Sequence, residues 1–144
     1  MFLLDGSTSI RNEETFKKEL DFVISVIDAM NIGPTQIQIG ITQFASVPKV
    51  EFTLNKYDTK EQLVEAILQI KWMLGNTFLD LALGKIMEIM TPQHGLRPNV
   101  PHILVLVSDG VSTSRSRTQK MIKRLRDTTD IIVFGIGELL VLKY

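Results

Sequence analysis

The stretch Phe2-Leu3-Leu4-Asp5-Gly6-Ser7-Thr8-Ser9 sets apolar residues directly against a carboxylate, a glycine and three hydroxyl side chains. The apolar part reads as a short buried strand, and two physical explanations compete for the polar cluster at its end. Asp, Gly and Ser each favour turns, so the cluster could simply end the strand. A hard cation, by contrast, needs several oxygens converging on one point, and Asp5, Ser7 and Ser9 carry such oxygens. Ser7 and Ser9 are two apart, so an extended loop would turn both hydroxyls the same way. The same grammar recurs where the unbroken apolar run Ile103-Leu104-Val105-Leu106-Val107 leads into Ser108-Asp109-Gly110. Such a run without alternation marks a strand covered on both faces.

Between these two strands the chain alternates in character. Asn12 ahead of Glu13 and Glu14 marks a helix start, the acids suiting the positive end of the helix dipole. Phe16, Leu20, Val23, Ile24, Ile27 and Met30 keep helical spacing until Gly33-Pro34 stops it. Ile37, Ile39 and Ile41 alternate as a strand, and Val50–Leu54 reads as a second strand paired to it in a hairpin. Thr59 with Gln62 is a capping-box pattern opening a helix through Leu63, Ile67 and Ile70. Another helix is expected from about Leu79 to Met90, closed by Pro92. Ser116 with Gln119 repeats the capping-box pattern ahead of Met121, Ile122 and Leu125, and Ile131–Phe134 is a further buried strand. Strands alternating with helices predict an α/β fold. The expected form is a doubly wound, mostly parallel sheet with helices on both faces and one antiparallel edge hairpin. No linker or internal repeat intervenes, so residues 1–144 are expected to form a single domain. Ligands of such sheets bind beyond the carboxyl ends of the strands, where strand order reverses, and Asp5 and Asp109 would both face that crevice.

The bulk properties narrow the function classes. A chain of 144 residues, 44% hydrophobic and 22% charged, can bury a proper core. Lys plus Arg and Asp plus Glu each total 16, so no overall field steers the protein to nucleic acid. No apolar run approaches the ~18 residues of a membrane span, and no membrane insertion is expected. Met1 opens directly on strand-like residues, without the basic and apolar segments of a secretory signal. Cysteine is absent, which excludes disulfides, thiol catalysis and thiolate metal sites.

Enzyme readings fail on spacing. A nucleophile elbow needs Gly-x-Ser-x-Gly, whereas Ser7 is flanked by Asp5 and Ser9. A phosphate loop needs Gly-Lys-Ser/Thr, and Gly84-Lys85 continues with Ile86 inside a helix. Gly135-Ile136-Gly137 continues with Glu138, Leu139 and Leu140, which breaks the dinucleotide fingerprint. An aspartyl-phosphate enzyme could use Asp5 as nucleophile, but the place for a companion acid is Ser7. With only His94 and His102, and no His-Glu-x-x-His helix, a zinc hydrolase is also disfavoured.

Asp5-Gly6-Ser7-Thr8-Ser9, then Gly75-Asn76-Thr77, then Ser108-Asp109-Gly110 together resemble the von Willebrand factor type A domain and its metal-ion-dependent adhesion site. The resemblance extends over nearly the whole chain, including the strand end Phe134-Gly135-Ile136-Gly137, and is strongest to the matrix type of collagens and matrilins. It implies that Ser7 and Ser9 bind a divalent cation through their hydroxyls, with magnesium expected and manganese or calcium as alternatives. Thr77 would bind directly or through water, and Asp5 and Asp109 largely through bridging waters. Neutral direct ligands would leave the ion electrophilic, ready for a Glu or Asp carboxylate of a protein partner. The function implied is therefore adhesion or matrix assembly in an extracellular, secreted protein, without catalysis. An intracellular scaffold of the same fold is the alternative, and a metal-dependent hydrolase would lack a base near the ion.

The chain departs from the family pattern in places. Gly75-Asn76-Thr77-Phe78-Leu79-Asp80 stands where the family often has Gly-Gly-Thr-x-Thr-Gly, a bulkier and more acidic loop. The first strand lacks its usual lead-in, and Glu138–Tyr144 replace the expected final strand and helix. Leu139-Leu140-Val141-Leu142 is expected to add a makeshift edge strand or lie on an apolar strip, leaving the chain prone to self-association. Asp80 reads as a helix-start charge rather than a sixth ligand. His94 and His102 read as solvated loop residues, and Trp72 as packed beneath the site. Arg115, Arg117, Lys120, Lys123, Arg124 and Arg126 form a segment without acids. That segment is a solvated helix face or, alternatively, an anion site for a sulfated glycan.

Overall fold

A computed structural model of the chain describes residues 1–108 and 112–136, the last three by backbone alone. Asp109 and the apolar tail Leu139–Leu142 therefore lie outside the described residues. The strands are β1 (Phe2–Asp5), β2 (Ile41–Phe44), β3 (Pro48–Phe52), β4 (His102–Val107) and β5 (Ile131–Ile136). The helices are α1 (Glu13–Asp28), α2 (Lys60–Leu68), α3 (Leu79–Ile89) and α4 (Arg115–Thr128), with a short 3-10 turn at Pro92–His94. The sheet runs β3-β2-β1-β4-β5. β1 is parallel to both β2 and β4, β4 is parallel to β5, and β2–β3 is antiparallel.

Strand alternation divides the core into two. Leu3, Leu104 and Leu106 face one side with Ala82, Leu83 and Ile86 of α3 and Ile122 and Leu125 of α4. Phe2, Leu4 and Val107 face the other with Phe16, Leu20, Val23 and Ile27 of α1 and Leu63 and Ile67 of α2. Helices thus lie on both faces of the sheet and bury Phe2, Leu3 and Leu4 of β1, whereas Ile103 of β4 and Ile132 of β5, expected to be buried, stay 41% and 51% exposed.

The helix starts follow local chemistry. Asn12 caps α1, its side-chain oxygen accepting from Thr15 N at 2.9 Å. Thr59 caps α2 by accepting from Gln62 N at 3.3 Å, and Gln62 reaches back to Asp58 N, one residue further than a capping box would take it. The expected capping box at Ser116 does not form. α4 begins at Arg115 and its N-cap is Ser114, so Ser116 lies inside the helix. Ser114 can take the cap position because Thr118 N already bonds back to its carbonyl at 2.9 Å.

Two other expectations are corrected. The strand placed at Ile37–Ile41 lies instead at Ile41–Phe44, with Ile37 making only an isolated bridge to Ile32. Thr42 and Gln43 are wholly buried there, so the true strand hides behind polar residues while the Ile alternation belongs to its approach. His102 is not a solvated loop residue. It opens β4, buried, with Nδ1 at 3.0 Å from Asp130 and Nε2 at 2.8 Å from the carbonyl of Arg97. The carboxyl of Asp130 is held below its usual range chiefly by that hydrogen bond to His102.

At the opposite end of the sheet from Asp5, the Met1 amine bonds to the Ile103 carbonyl at 2.9 Å. It borders a largely apolar groove of about 470 Å³ that includes Ile37, Ile39, Leu54 and Met90. Burial lowers the pKa of this amine from 8.0 to about 5. Between those values the unfolded chain holds a proton that the folded chain lacks, so stability rises with pH across that window. The melting temperature of the 144-residue chain should climb from pH 5 to pH 8, and acetylating the amine should remove most of the climb. Equal slopes for the free and acetylated chains would contradict the assignment.

Candidate metal centre

The reversal of strand order lies between β1 and β4, and the carboxyl ends of these two strands open one crevice. Asp5 ends β1 there with no exposed surface. A buried carboxylate needs donors, and it has them. Its Oδ1 accepts from Ser7 N at 3.0 Å and from Ser7 Oγ at 2.6 Å. Its Oδ2 accepts from Ser108 Oγ, just past β4, at 2.5 Å. One side chain therefore ties together the loops that follow both central strands.

Ser7 Oγ is the point on which the cluster converges. Ser9 Oγ lies 2.6 Å from it, and Thr77 Oγ1 donates to it at 2.9 Å from a loop seventy residues away in sequence. A hydroxyl has one proton, and Ser7 gives its proton to Asp5, so Ser9 must donate to Ser7. Three hydroxyl oxygens and a carboxylate thus meet in a space where protons alone hold them together. That is the donor set of a hard divalent cation, with neither imidazole nor sulfur in it. Among the described residues no group of three or more His, Cys, Asp or Glu is placed to hold a metal, and the oxygens that converge here are those of hydroxyls and of Asp5. In this arrangement the residues present fit the ion.

The loop carrying Thr77 is held by residues that sequence reasoning missed. Gln43, buried in β2, accepts from Met73 N at 3.0 Å and donates to the Lys71 carbonyl at 3.0 Å. A Cβ on Gly6 would stand 2.0 Å from the Gln43 Oε1, so glycine is required beside this anchor. Leu74 and Gly75 have φ of +64° and +115°, and the Gly75 carbonyl accepts from both Thr8 N and Thr8 Oγ1 at 2.9 Å. Ser46 Oγ accepts from Asn76 N at 2.9 Å. Trp72 is half-buried beneath the cluster, its Nε1 donating to the Ser7 carbonyl at 3.2 Å. The one sequence signal for Gln43 was a long polar residue beside apolar strand residues, and such a residue stays buried only when its amide is fully used.

Of the residues singled out from sequence, Asp5, Ser7, Ser9 and Thr77 come together, and Asp109 lies outside the described residues. Asp80 is in the first turn of α3 and buried, paired to Arg117 rather than to the cluster. Arg115, Arg117, Lys120, Lys123 and Arg124 lie exposed along α4. They do not all stand free, since Arg117 is engaged by Asp80 and Lys123 by Asp127. His94, in the turn after α3, contacts Thr91 at 2.9 Å, and with His102 it lies away from the crevice.

Comparison with known proteins agrees with this geometry. The chain is 39% identical over 137 residues to the collagen alpha-1(XX) chain of Mus musculus, covering 94% of this chain and 10% of that one. It is also 39% identical over 137 residues to the collagen alpha-4(VI) chain of Mus musculus, covering 95% of this chain and 6% of that one. The chain thus spans a small part of the relatives it matches. Among solved structures, proximal thread matrix protein 1 from the mussel byssus, with a zinc-occupied MIDAS motif, superposes with a TM-score of 0.85 at 27% identity. That match covers 94% of this chain and 37% of the mussel protein. The family model of the von Willebrand factor type A domain matches residues 1–139, and the chain belongs to that family.

Proposed function

We propose that residues 1–144 form one domain that binds a protein partner through a divalent cation held by Ser7, Ser9 and Thr77, with Asp5 and Asp109 acting through water. The observation that carries this reading is the approach of the Ser9 and Thr77 hydroxyls to 2.6 and 2.9 Å of Ser7 Oγ. Neutral hydroxyls reduce the charge of a bound ion little, so it keeps attraction for a further anionic oxygen, and a Glu or Asp of the partner would supply one. Oxygen donors favour magnesium, with manganese and calcium able to substitute. The zinc in the mussel relative supports a divalent ion in this family without choosing among metals. The collagen relatives favour an extracellular, secreted, matrix-associated role, with adhesion or assembly rather than catalysis. No histidine among the described residues stands at the cluster to act as a base, which weighs against a hydrolase.

Manganese titration followed by electron paramagnetic resonance tests the site directly. Ser9 is exposed, so Ser9→Ala should leave the fold intact. It should weaken manganese binding by about tenfold or more, the scale on which even outer-shell substitutions act. A variant binding as tightly as the parent would contradict the ligand assignment.

A second reading concerns α4. Lys120 and Arg124 are exposed, have no ion pair among the described residues, and follow Arg117 at spacings of three and seven, on one face. Together they would form an anion site suited to a sulfated glycan, with Arg115 on the opposite side of the helix. Neutralising Lys120 and Arg124 should reduce heparin retention, and retention should fall steeply with salt. Unchanged retention would leave a solvated helix face.

A further inference from the structure

Asp80 is a costly residue where it stands. Its side chain is 7% exposed, yet its charged partner, Arg117, is 62% exposed. Arg117 Nε lies 3.2 Å from Asp80 Oδ2, while Asp80 Oδ1 is buried without a hydrogen-bond partner among the described residues. A half-satisfied buried carboxylate lowers stability relative to a small neutral residue, so its presence needs another reason.

Its neighbours supply that reason. Arg117 Nε also donates to Ser114 Oγ at 2.7 Å, so one guanidinium joins the first turn of α3 to the N-cap of α4. On the other side the same two segments meet through Thr77. Thr113 N donates to the Thr77 carbonyl at 2.9 Å, and Thr77 N donates to Thr113 Oγ1 at 3.3 Å. Ser112 Oγ lies 2.8 Å from the Oγ1 of buried Thr118 and accepts from Ser114 N at 3.3 Å. Thr77, Asp80, Thr113, Ser114 and Arg117 therefore close a ring between two helices. Within that ring, Thr77 is the member whose hydroxyl enters the Ser7 cluster.

We propose that the Asp80–Arg117 pair is a strut that holds Thr77 in place for the cation, with Asp80 as a positioning residue. This rests on the cation reading above and deepens it. The strut acts through geometry, and that separates it from simple charge. If Asp80 acted only as a negative charge near the ion and Arg117 only as a positive one, removing them would shift cation affinity in opposite directions. A strut loses its function when either end is removed.

The test uses the full chain and its Asp80→Ala, Arg117→Ala and doubly substituted variants. Manganese alone is the probe, with amide exchange at Thr113 measured without metal. Each single variant should bind manganese about tenfold more weakly, and the double variant should be no weaker than the singles. Thr113 exchange should speed up about tenfold in both singles, because the bond from its amide to Thr77 is loosened. Asp80→Ala leaves only the exposed Arg117 unpaired and keeps the test valid if Arg117→Ala, which strips the buried carboxylate of its charged partner, folds poorly. Unchanged manganese binding and Thr113 exchange in Asp80→Ala would then overturn the strut. Tighter or unchanged manganese binding in Arg117→Ala, with Thr113 exchange unchanged, would overturn the strut. A parent chain that takes no manganese while Thr113 exchange responds as expected would instead overturn the cation reading and leave the strut as a purely structural tie.

Discussion

The fully buried carboxylate of Asp5 is the constraint on which the rest of the site depends. Burial obliges it to collect donors, and its two oxygens draw them from different loops, Ser7 after β1 and Ser108 after β4. Parallel pairing of β1 with β4 makes this possible, since it brings both carboxyl ends to one edge of the sheet. Once Ser7 has given its proton to Asp5, its oxygen can only accept, and Ser9 and Thr77 turn their hydroxyls toward it. The cluster is therefore a consequence of one desolvated charge at the end of a central strand.

The other loops serve that arrangement. Gln43 is buried inside β2 and uses both ends of its amide to hold the segment before Thr77. The segment Ser112–Ser114 holds Thr77 from the opposite side through its backbone. Thr77 is thus clamped between β2 and α4, although it belongs to neither. A segment held this way presents the Thr77 hydroxyl to Ser7 Oγ from a fixed position.

Much of the frame was legible in the sequence because its signals are local. The apolar runs ending in Asp5 and Asp109, the cap at Asn12 and the cap at Thr59 each act within a few residues, and β1, β4, α1 and α2 lie where those signals put them. The failures share a cause. β2 contains Thr42 and Gln43, polar residues buried within the sheet, and Gln43 is satisfied there by backbone groups distant in sequence. The regular spacing of Ile37, Ile39 and Ile41 therefore drew the strand too early. His102 is buried for a similar reason, since both ring nitrogens have partners that no local pattern announces. Asp80 read as a helix-start charge, and it is one by position, but its burial and its tie to Arg117 depend on how α3 packs against α4. Ser7, Ser9 and Thr77 could be picked out by spacing and resemblance, whereas their separation in space could only come from the fold.

The oxygens that meet at Ser7 are proposed to form a cation site. Anomalous diffraction from crystals grown with manganese tests it most directly. One strong anomalous peak is expected about 2.1 Å from the hydroxyl oxygens of Ser7 and Ser9 and adjacent to Thr77. Ordered crystals with no peak there, and with the Ser7–Ser9 and Ser7–Thr77 hydrogen bonds still in place, would contradict it.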